Sequence, residues 1–337
     1  MTTLYLIRHA EAEGNIFRRV HGWYDSSVTP NGLRQIAALQ KRFETVQVDA
    51  VYASDLIRTC TTAGAVWKPK GLTLHTEPRF REVHMGVWED APFGQVMREQ
   101  PEVYRKFAKA PQEWAVEGSE RYEEFTGRFL QALDEIARRH DGQSVAIFSH
   151  GMILQNALGR LFFDGDTNKL GHSENTAVST LHYENGAYRL ESLFDASHLP
   201  KEISIVGRQS WWRREDHRDM NFWYRPAQAE DAALLNTLGI ASEERTVVAC
   251  LEDEAAGAVS LRRLDEKTGA IADLALLPAY RGQGLAAQLL GYAVSAFRKD
   301  GLSKLTLLRE PQGDAEHFFD RFSLQTNEGV SLIPRIR

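Results

Sequence analysis

The stretch Leu4-Tyr5-Leu6-Ile7-Arg8-His9-Ala10-Glu11-Ala12-Glu13-Gly14-Asn15 decides how the rest of the chain is read. Leu4 to Ile7 is a short apolar run of the kind that forms a buried strand, and Arg8-His9 follows it directly. The arrangement recurs twice. Val48 to Ala53 is strand-like and leads into a helical pattern from about Asp55 to Trp67, which puts Arg58 in that helix's first turn. Ser144 to Phe148 is another buried-type strand, followed by His150 and a helix from Met152 to Phe163. In an open α/β sheet, ligands bind outside the carboxyl ends of the strands. Three strand ends therefore deliver two arginines and two histidines to one crevice, where helix N-termini point free N–H groups as well. Such a set suits a phosphate dianion. Arginine forks grip phosphate oxygens bidentately, and a neutral imidazole serves as nucleophile or donor. Each residue alone has a plainer reading, Arg58 as a solvated helix charge and a histidine as hydrogen-bonded structure. The convergence carries the chemistry.

Outward from these strands the alternation continues. Gly32 to Phe43 reads as a helix and Leu72 to Glu77 as a short strand. From Tyr122, apolar residues at Phe125, Phe129, Leu133 and Ile136 keep helical spacing. Thr180 to Tyr183, Asn185-Gly186 and Tyr188 to Leu193 read as a hairpin with a type I′ turn. The pattern predicts an α/β fold over residues 1–205, a doubly wound, mostly parallel sheet with helices on both faces. Residues 206–219, which include Gln209 to His217 with Trp211 and Trp212, are charge-rich and aperiodic and read as a linker. Pattern resumes at Phe222. Asp231 to Leu238 and Leu285 to Phe297 look helical. Val247 to Leu251, Ala258 to Leu264, Ile271 to Leu277 and Leu305 to Leu308 look like strands. That is a second, smaller α/β domain over residues 220–337.

The 337 residues suit two domains, and 43% apolar with 26% charged residues is ordinary for a globular protein. A net charge of −6 argues against an electrostatic nucleic-acid binder, yet leaves room for a local basic pocket. Two distant cysteines, Cys60 and Cys250, give no disulfide framework and fit a reducing compartment. No apolar run approaches the ~18 residues needed to cross a bilayer. The N-terminus lacks the basic start and long apolar stretch of a signal peptide. A soluble, cytoplasmic protein without nucleic-acid or membrane partners is expected. No HExxH, EF-hand, P-loop lysine or G-x-S-x-G pattern occurs, so no metal is expected.

The first part of the chain resembles the histidine phosphatase superfamily, the group that contains the phosphoglycerate mutases. Arg8, His9, Glu11 and Asn15 match its opening R-H-G-E-T-x-x-N pattern, which the chain leaves at Ala10 and Ala12. Gly22-Trp23-Tyr24-Asp25 with Thr29-Pro30-Asn31-Gly32 resembles G-x-x-D…L-T-x-x-G. Ser54 to Thr59 with Thr62-Ala63 resembles S-x-L-x-R-A-x-x-T-A. Arg81-Glu82, Gly86 and Trp88-Glu89 resemble the acid-bearing R-E…G-x-W-E, and Ser149-His150-Gly151 the second histidine motif. Phe194-Asp195-Ala196-Ser197-His198-Leu199 resembles the closing stretch. The resemblance implies that His9 attacks phosphorus to form a phosphohistidine. It implies that Arg8, Arg58 and His150 hold the equatorial oxygens and that Asn15 adds a hydrogen bond. Glu82 would protonate the leaving alkoxide and then help a water attack. Ala12 removes a hydroxyl from the phosphate loop, so activity should persist with altered binding. Asp90 to Glu120 should cap the pocket, although its Phe93, Tyr104, Phe107 and Trp114 would also serve ordinary helix packing.

In the second domain, Leu274 to Ala286 runs strand, Gly-rich loop, helix, and consecutive amides at a helix start form an anion cradle. Gly282-x-Gly284-x-x-Ala287 loosely fits a dinucleotide fingerprint, with Glu310 after the next strand, but only 27 residues follow Glu310. The stretch is similar to the GNAT-type N-acetyltransferase pattern [Q/R]-x-x-G-x-[G/A] at Arg281, Gly284 and Ala286. Arg225-Pro226 with Glu230-Asp231, and Ala315 to Leu324, fit that family more loosely. This resemblance implies acyl-CoA, with acetyl-CoA as the cofactor, held by Leu276, Arg281, Gly282, Gly284, Leu285 and Ala286. Phe319 stands where the family often has the tyrosine that protonates the thiolate. An acetyltransferase using another acid, a CoA-binding sensor and a structural remnant stay open. For the whole chain the expectation is a metal-independent phosphatase of small phosphomonoesters, with no cofactor of its own, fused to a GNAT-like domain. Three alternatives stand beside it: mutase-type phosphoryl transfer, acetyl transfer as the main activity above a phosphate pocket that only binds, and a non-catalytic binding module.

Overall fold

In a computed structural model, residues 1–205, 220–243, 245–324, 326 and 330–332 are described. The expected linker, residues 206–219, lies outside them. The described residues form two compact units. The first comprises Met1–Ala12, His21–Glu89 and the described part of Glu102–His217. The second comprises Glu13–Val20, Asp90–Pro101 and the described part of Arg218–Arg337.

The first unit holds a six-stranded sheet of β1 (Thr2–Arg8), β2 (Ala50–Ala53), β3 (Leu74–Thr76), β4 (Ser144–Ser149), β5 (Val178–Glu184) and β6 (Ala187–Asp195). Their order is β3-β2-β4-β1-β5-β6. The first four of that order run parallel, and β5 and β6 add an antiparallel edge. Asn185 and Gly186 join β5 to β6 with φ of 53° and 84°, the two positive values a type I′ turn needs.

Side-chain alternation assigns the helices to faces. Ile7, Val51, Ala53, Ala146 and Phe148 bury against Leu39 and Phe43 of helix Pro30–Phe43 and Ala63 and Val66 of helix Ile57–Lys70. The opposite face carries Thr2, whose hydroxyl donates to the Ala137 carbonyl (2.8 Å) of helix Tyr122–Arg139. Helix Gly151–Phe162 packs beside that helix. The chain therefore leaves β1 and β4 toward opposite faces. That is a switch point, and it opens a crevice at the carboxyl ends of these two neighbouring strands. Helix Ile57–Lys70 starts two residues later than expected. Leu56 is extended (ψ 142°) and Asp55 is paired with Arg81 at 2.6 Å.

The second unit holds β7 (Trp223–Pro226), β8 (Arg245–Leu251), β9 (Glu254–Arg263), β10 (Thr268–Leu276), β11 (Lys304–Leu307) and β12 (Val330–Ser331), paired in chain order. Only β10 and β11 run parallel. A dinucleotide-binding half is built from consecutive parallel strands, so the loose fingerprint at Gly282 has no such frame here. β9 begins earlier than expected because Glu252 (φ 53°) turns a two-residue hairpin without the Asn-Gly signature that marks one in sequence.

Helix Ala286–Lys299 covers this sheet and also holds the two segments drawn from earlier in the chain. Phe17 sits on Gly291, where a Cβ would collide with it. Arg298 pairs with Glu13 (3.0 Å). Arg19 pairs with Asp90 (2.6 Å), and the Ser295 hydroxyl donates to the same carboxylate at 2.5 Å. The segment expected to act as one cap is thus divided: Asp90–Pro101 belongs to the second unit, and the rest stays with the first. There, Trp88, Phe107 and Trp114 pack together in edge-on and tilted contacts with ring centroids 5.3–5.7 Å apart. Among the described residues, no helix is long and apolar enough to cross a membrane.

Candidate active site

β1 ends at Arg8, so His9 emerges at the carboxyl end of a central strand. Its amide donates to the Ser149 carbonyl (2.9 Å), and its own carbonyl accepts from Asn175 Nδ2 (2.8 Å). Its Nδ1 lies 2.7 Å from the Ala10 carbonyl oxygen. A carbonyl only accepts, so Nδ1 carries the hydrogen and Nε2 keeps its lone pair. The Ala10 amide is fixed in turn by the Thr62 hydroxyl at 2.9 Å.

His150 follows β4 and caps helix Gly151–Phe162, with its ring 5.2 Å from that of His9. Arg58 Nε donates to His150 Nδ1 (3.1 Å). The neutral ring then donates from Nε2 to Ser54 Oγ (2.7 Å). The remaining Arg58 nitrogens reach the carbonyls of Tyr24 (3.0 Å) and Gly22 (2.7 Å). Arg8 donates from Nη1 to the Ser173 carbonyl, while its buried Nε has no hydrogen-bond partner. Gly151 makes room for that guanidinium, because a Cβ there would stand 2.9 Å from Nε.

Glu82 arrives from a loop, yet it lands on the first turn of the helix that His150 caps. Its carboxylate accepts from the amides of Ile153 (2.7 Å), Met152 (3.0 Å) and Val83 (3.1 Å). Arg128 braces that loop by donating to the carbonyls of Arg79, Arg81 and Glu82 at 2.7–2.8 Å.

Burial sets the electrostatics. Arg58 and His150 are fully buried, and His9 and Glu82 are 3% and 6% exposed. Desolvation, followed by the Arg58 charge, holds both imidazoles well below the ordinary histidine value; Arg8 adds to this at His9. Desolvation also lowers Arg58 to about 10 and depresses Arg8. Glu82 is raised by burial, against its backbone hydrogen bonds and Arg58. The result is a buried site with two cations, two neutral imidazoles and a carboxyl group that holds its proton more tightly than usual. Such a site is built to receive an anion.

The structure thus brings together Arg8, His9, Arg58, Glu82 and His150. Asn15 lies in the short helix Glu13–Ile16, a segment of the second unit. Ser54, Thr62, Asn175, His21 and Arg128 join these residues without a role that sequence alone assigns. His21 stands with its ring 5.9 Å from His9. Ser54 and Thr62 were visible within a matched motif. Asn175 and Arg128 carry no local signature, because their partners lie far away in sequence. Among the described residues, no group of three or more His, Cys, Asp or Glu side chains is placed to hold a metal ion.

In the second unit, Leu276 ends β10, and Arg281 Nε donates back to its carbonyl (2.8 Å). Gly282 and Gly284 take φ of 72° and 77°, and nothing lies within 4 Å of where their Cβ atoms would be. Leu285 is buried and Ala286 opens the helix. β11 pairs with β10 only as far as Ile271, and a bulge follows in β10 between Ile271 and Asp273. Phe319 is 7% exposed and belongs to this unit's apolar core.

Comparison with known proteins agrees with both halves. Residues 4–196 match the histidine phosphatase superfamily (branch 1), and residues 208–323 match the acetyltransferase (GNAT) family. The protein named "Probable phosphoglycerate mutase GpmB" of Yersinia pestis (strain Pestoides F) is 29% identical over 205 residues, which span 59% of this chain and 95% of that one. The solved structure of Bacillus stearothermophilus YhfR is 32% identical with a TM-score of 0.56, over 59% of this chain and 99% of that one. A phosphoglycerate mutase structure from Bacillus anthracis str. Sterne is 25% identical with a TM-score of 0.54, over 58% of this chain and 94% of that one. The first match takes in more than half of the chain, which therefore belongs to branch 1 of the histidine phosphatase superfamily and carries a GNAT domain behind it.

Proposed function

We propose that the first unit hydrolyses small phosphomonoesters without a metal, through a phosphohistidine on His9. One observation carries this reading. The His9 imidazole is kept neutral, with its Nε2 lone pair unprotonated, beside the fully buried Arg58 and the half-buried Arg8. Nε2 attacks phosphorus as the ester P–O bond breaks. Arg8, Arg58 and His150 surround the three equatorial oxygens, where the transition-state charge sits. Protonated Glu82 gives its proton to the leaving alkoxide. Its carboxylate then takes a proton from a water that attacks the phosphohistidine, which releases phosphate and restores both groups.

The same histidine would serve a mutase, which differs in passing the phosphoryl group to a second alcohol. We favour hydrolysis because residues 90–120 offer few clustered cations for a phosphoglycerate carboxylate beyond Arg98, Arg105 and Lys106. Hydrolysis of an aryl phosphate by the full chain is expected to persist in excess chelator. Activity stripped by the chelator and restored by a divalent ion would overturn the metal-free mechanism. Both cysteines stand as free thiols, which suits the reducing, cytoplasmic setting we assign.

For the second unit we infer acyl-CoA binding. The backbone at Gly282 and Gly284, bare where side chains would project, fits a pyrophosphate lying across the start of helix Ala286–Lys299. Leu276, Arg281, Leu285 and Ala286 would frame it, and bound acetyl-CoA would supply the acetyl group. Phe319 has no hydroxyl to protonate a thiolate, so acetyl transfer would need another acid. Calorimetric titration of the full chain with acetyl-CoA should give saturable heat and a raised melting temperature. No heat and no thermal shift would mark the domain as a structural remnant.

A further inference from the structure

The closing motif Phe194–Leu199 has no part in the chemistry above, yet it reaches the nucleophile in two steps. Thr176 has φ of 60°. A β-branched side chain there meets its own backbone, and such residues persist only where the surroundings hold them. The conformation turns the Thr176 amide toward the site, where it donates to the carbonyls of Arg8 (3.1 Å) and His9 (3.4 Å). Its neighbours complete a clamp. Asn175 Nδ2 donates to the same His9 carbonyl, the Ala177 carbonyl accepts from the Arg8 amide (3.1 Å), and the Ser173 carbonyl accepts from the Arg8 guanidinium. Ser173, Glu174, Asn175 and Thr176 are all buried.

His198 holds the strained residue. Its Nε2 lies 3.0 Å from Thr176 Oγ1, and its Nδ1 lies 3.2 Å from Arg42 Nη1. Arginine only donates, so Nδ1 carries the lone pair and Nε2–H donates to the threonine. Arg42 is itself fixed by the Asp195 carbonyl (3.0 Å) and carboxylate (2.8 Å) at the end of β6. Burial and the Arg42 charge lower His198 to about 4, so the ring is neutral with this one donor arrangement.

We propose that His198 is a positioning residue for the Arg8–His9 pair and acts by locking Thr176 in its left-handed conformation. It touches neither the substrate nor the reacting atoms. Without the lock, Thr176 relaxes toward ordinary φ, and its amide and the Asn175 side chain turn away from the His9 carbonyl. The imidazole then loses its alignment. A misplacement of about 1 Å costs on the order of 100-fold in rate. The inference rests on the proposed phosphatase reading.

The test is a double-mutant cycle in the full chain, read as kcat and KM on an aryl phosphate. His198→Ala should lower kcat roughly 10- to 100-fold and raise KM by less, since Arg8 shifts with His9 while Arg58 keeps its own bonds to His150, Tyr24 and Gly22. His198→Gln places an amide donor where Nε2 stood and should recover most of the loss. Glycine adopts positive φ without strain, so in a Thr176→Gly background His198→Ala should change kcat less than about threefold. Equal effects of His198→Ala in both backgrounds, or no rescue by glutamine, would overturn the lock. A second readout does not depend on turnover. Imidazole ¹⁵N–¹H spectra should show His9 as the Nδ1–H tautomer in the parent protein and a shifted or exchanging ring in His198→Ala. An unchanged His9 ring would overturn the proposal even if the parent protein hydrolysed nothing, and a missing phosphatase activity alone would count only against the reading beneath it.

Discussion

Replacing His9 with alanine should lower hydrolysis of any phosphomonoester by roughly four to six orders of magnitude, the scale seen when a covalent nucleophile is removed. The fold should survive. The His9 side chain makes one hydrogen bond, to the carbonyl of the next residue, while its backbone keeps its bonds to Ser149 and Asn175. A fall in rate without a fall in melting temperature therefore separates chemistry from stability. Brief incubation of the parent protein with ³²P-labelled substrate and acid-free quenching should trap label on His9. A phosphohistidine is labile in acid and stable in alkali, because protonating the ring nitrogen turns the imidazole into a good leaving group. The label should be absent in His9→Ala. Label found on a serine or an aspartate would reassign the nucleophile. Among the described residues His150 and His21 stand near, but both ring nitrogens of His150 are engaged by Arg58 and Ser54, and His21 Nε2 lies 2.6 Å from Ser26 Oγ.

The fold and the heart of this site were legible because their signals are local. An apolar run ending at Arg8-His9, and another ending just before His150, state a strand and its carboxyl end within ten residues. The hairpin at Asn185-Gly186 was equally plain, because its turn type demands those residues. What escaped the sequence depends on distant partners. Asn175 acts on a residue 166 positions away, and Arg128 on a loop some 46 positions away. The turn at Glu252 has no glycine or asparagine to announce it. The largest departure concerns chain segments rather than elements. Glu13–Val20 and Asp90–Pro101 lie among phosphatase motifs in sequence, but they cluster with the second unit through Phe17, Arg19 and Glu13. Helical periodicity shows that a helix has an apolar face; it does not show which body that face will meet.

Glu82 makes the second large prediction, and the sign of its pKa shift gives the test its shape. On the acid side, kcat/KM falls only when the nucleophile takes a proton. His9 is held well below the ordinary value near 6.5, so that limb should lie at low pH. On the alkaline side, kcat/KM falls as Glu82 loses the proton it must donate. Burial raises that group above the ordinary value of about 4.3, so the expected profile is a bell whose alkaline limb lies at higher pH than an ordinary glutamate would set. Glu82→Gln should remove the alkaline limb. It should also discriminate between substrates. An aryl oxide departs without help, so kcat/KM on an aryl phosphate should fall about tenfold or less, while an alkyl phosphate should lose roughly 10²- to 10⁴-fold, the usual range for general acid catalysis. The logarithm of kcat/KM plotted against leaving-group pKa should therefore steepen in the variant. Stability is a second cost to be watched, because the carboxylate accepts from three backbone amides and a glutamine NH₂ cannot accept. One amide left unsatisfied costs about 1–3 kcal/mol, so melting must be measured beside the kinetics. That loss would lower the rates on aryl and alkyl esters alike. An equal fall on both would reduce Glu82 to a structural cap of the helix behind His150, and a steeper slope would make it the acid.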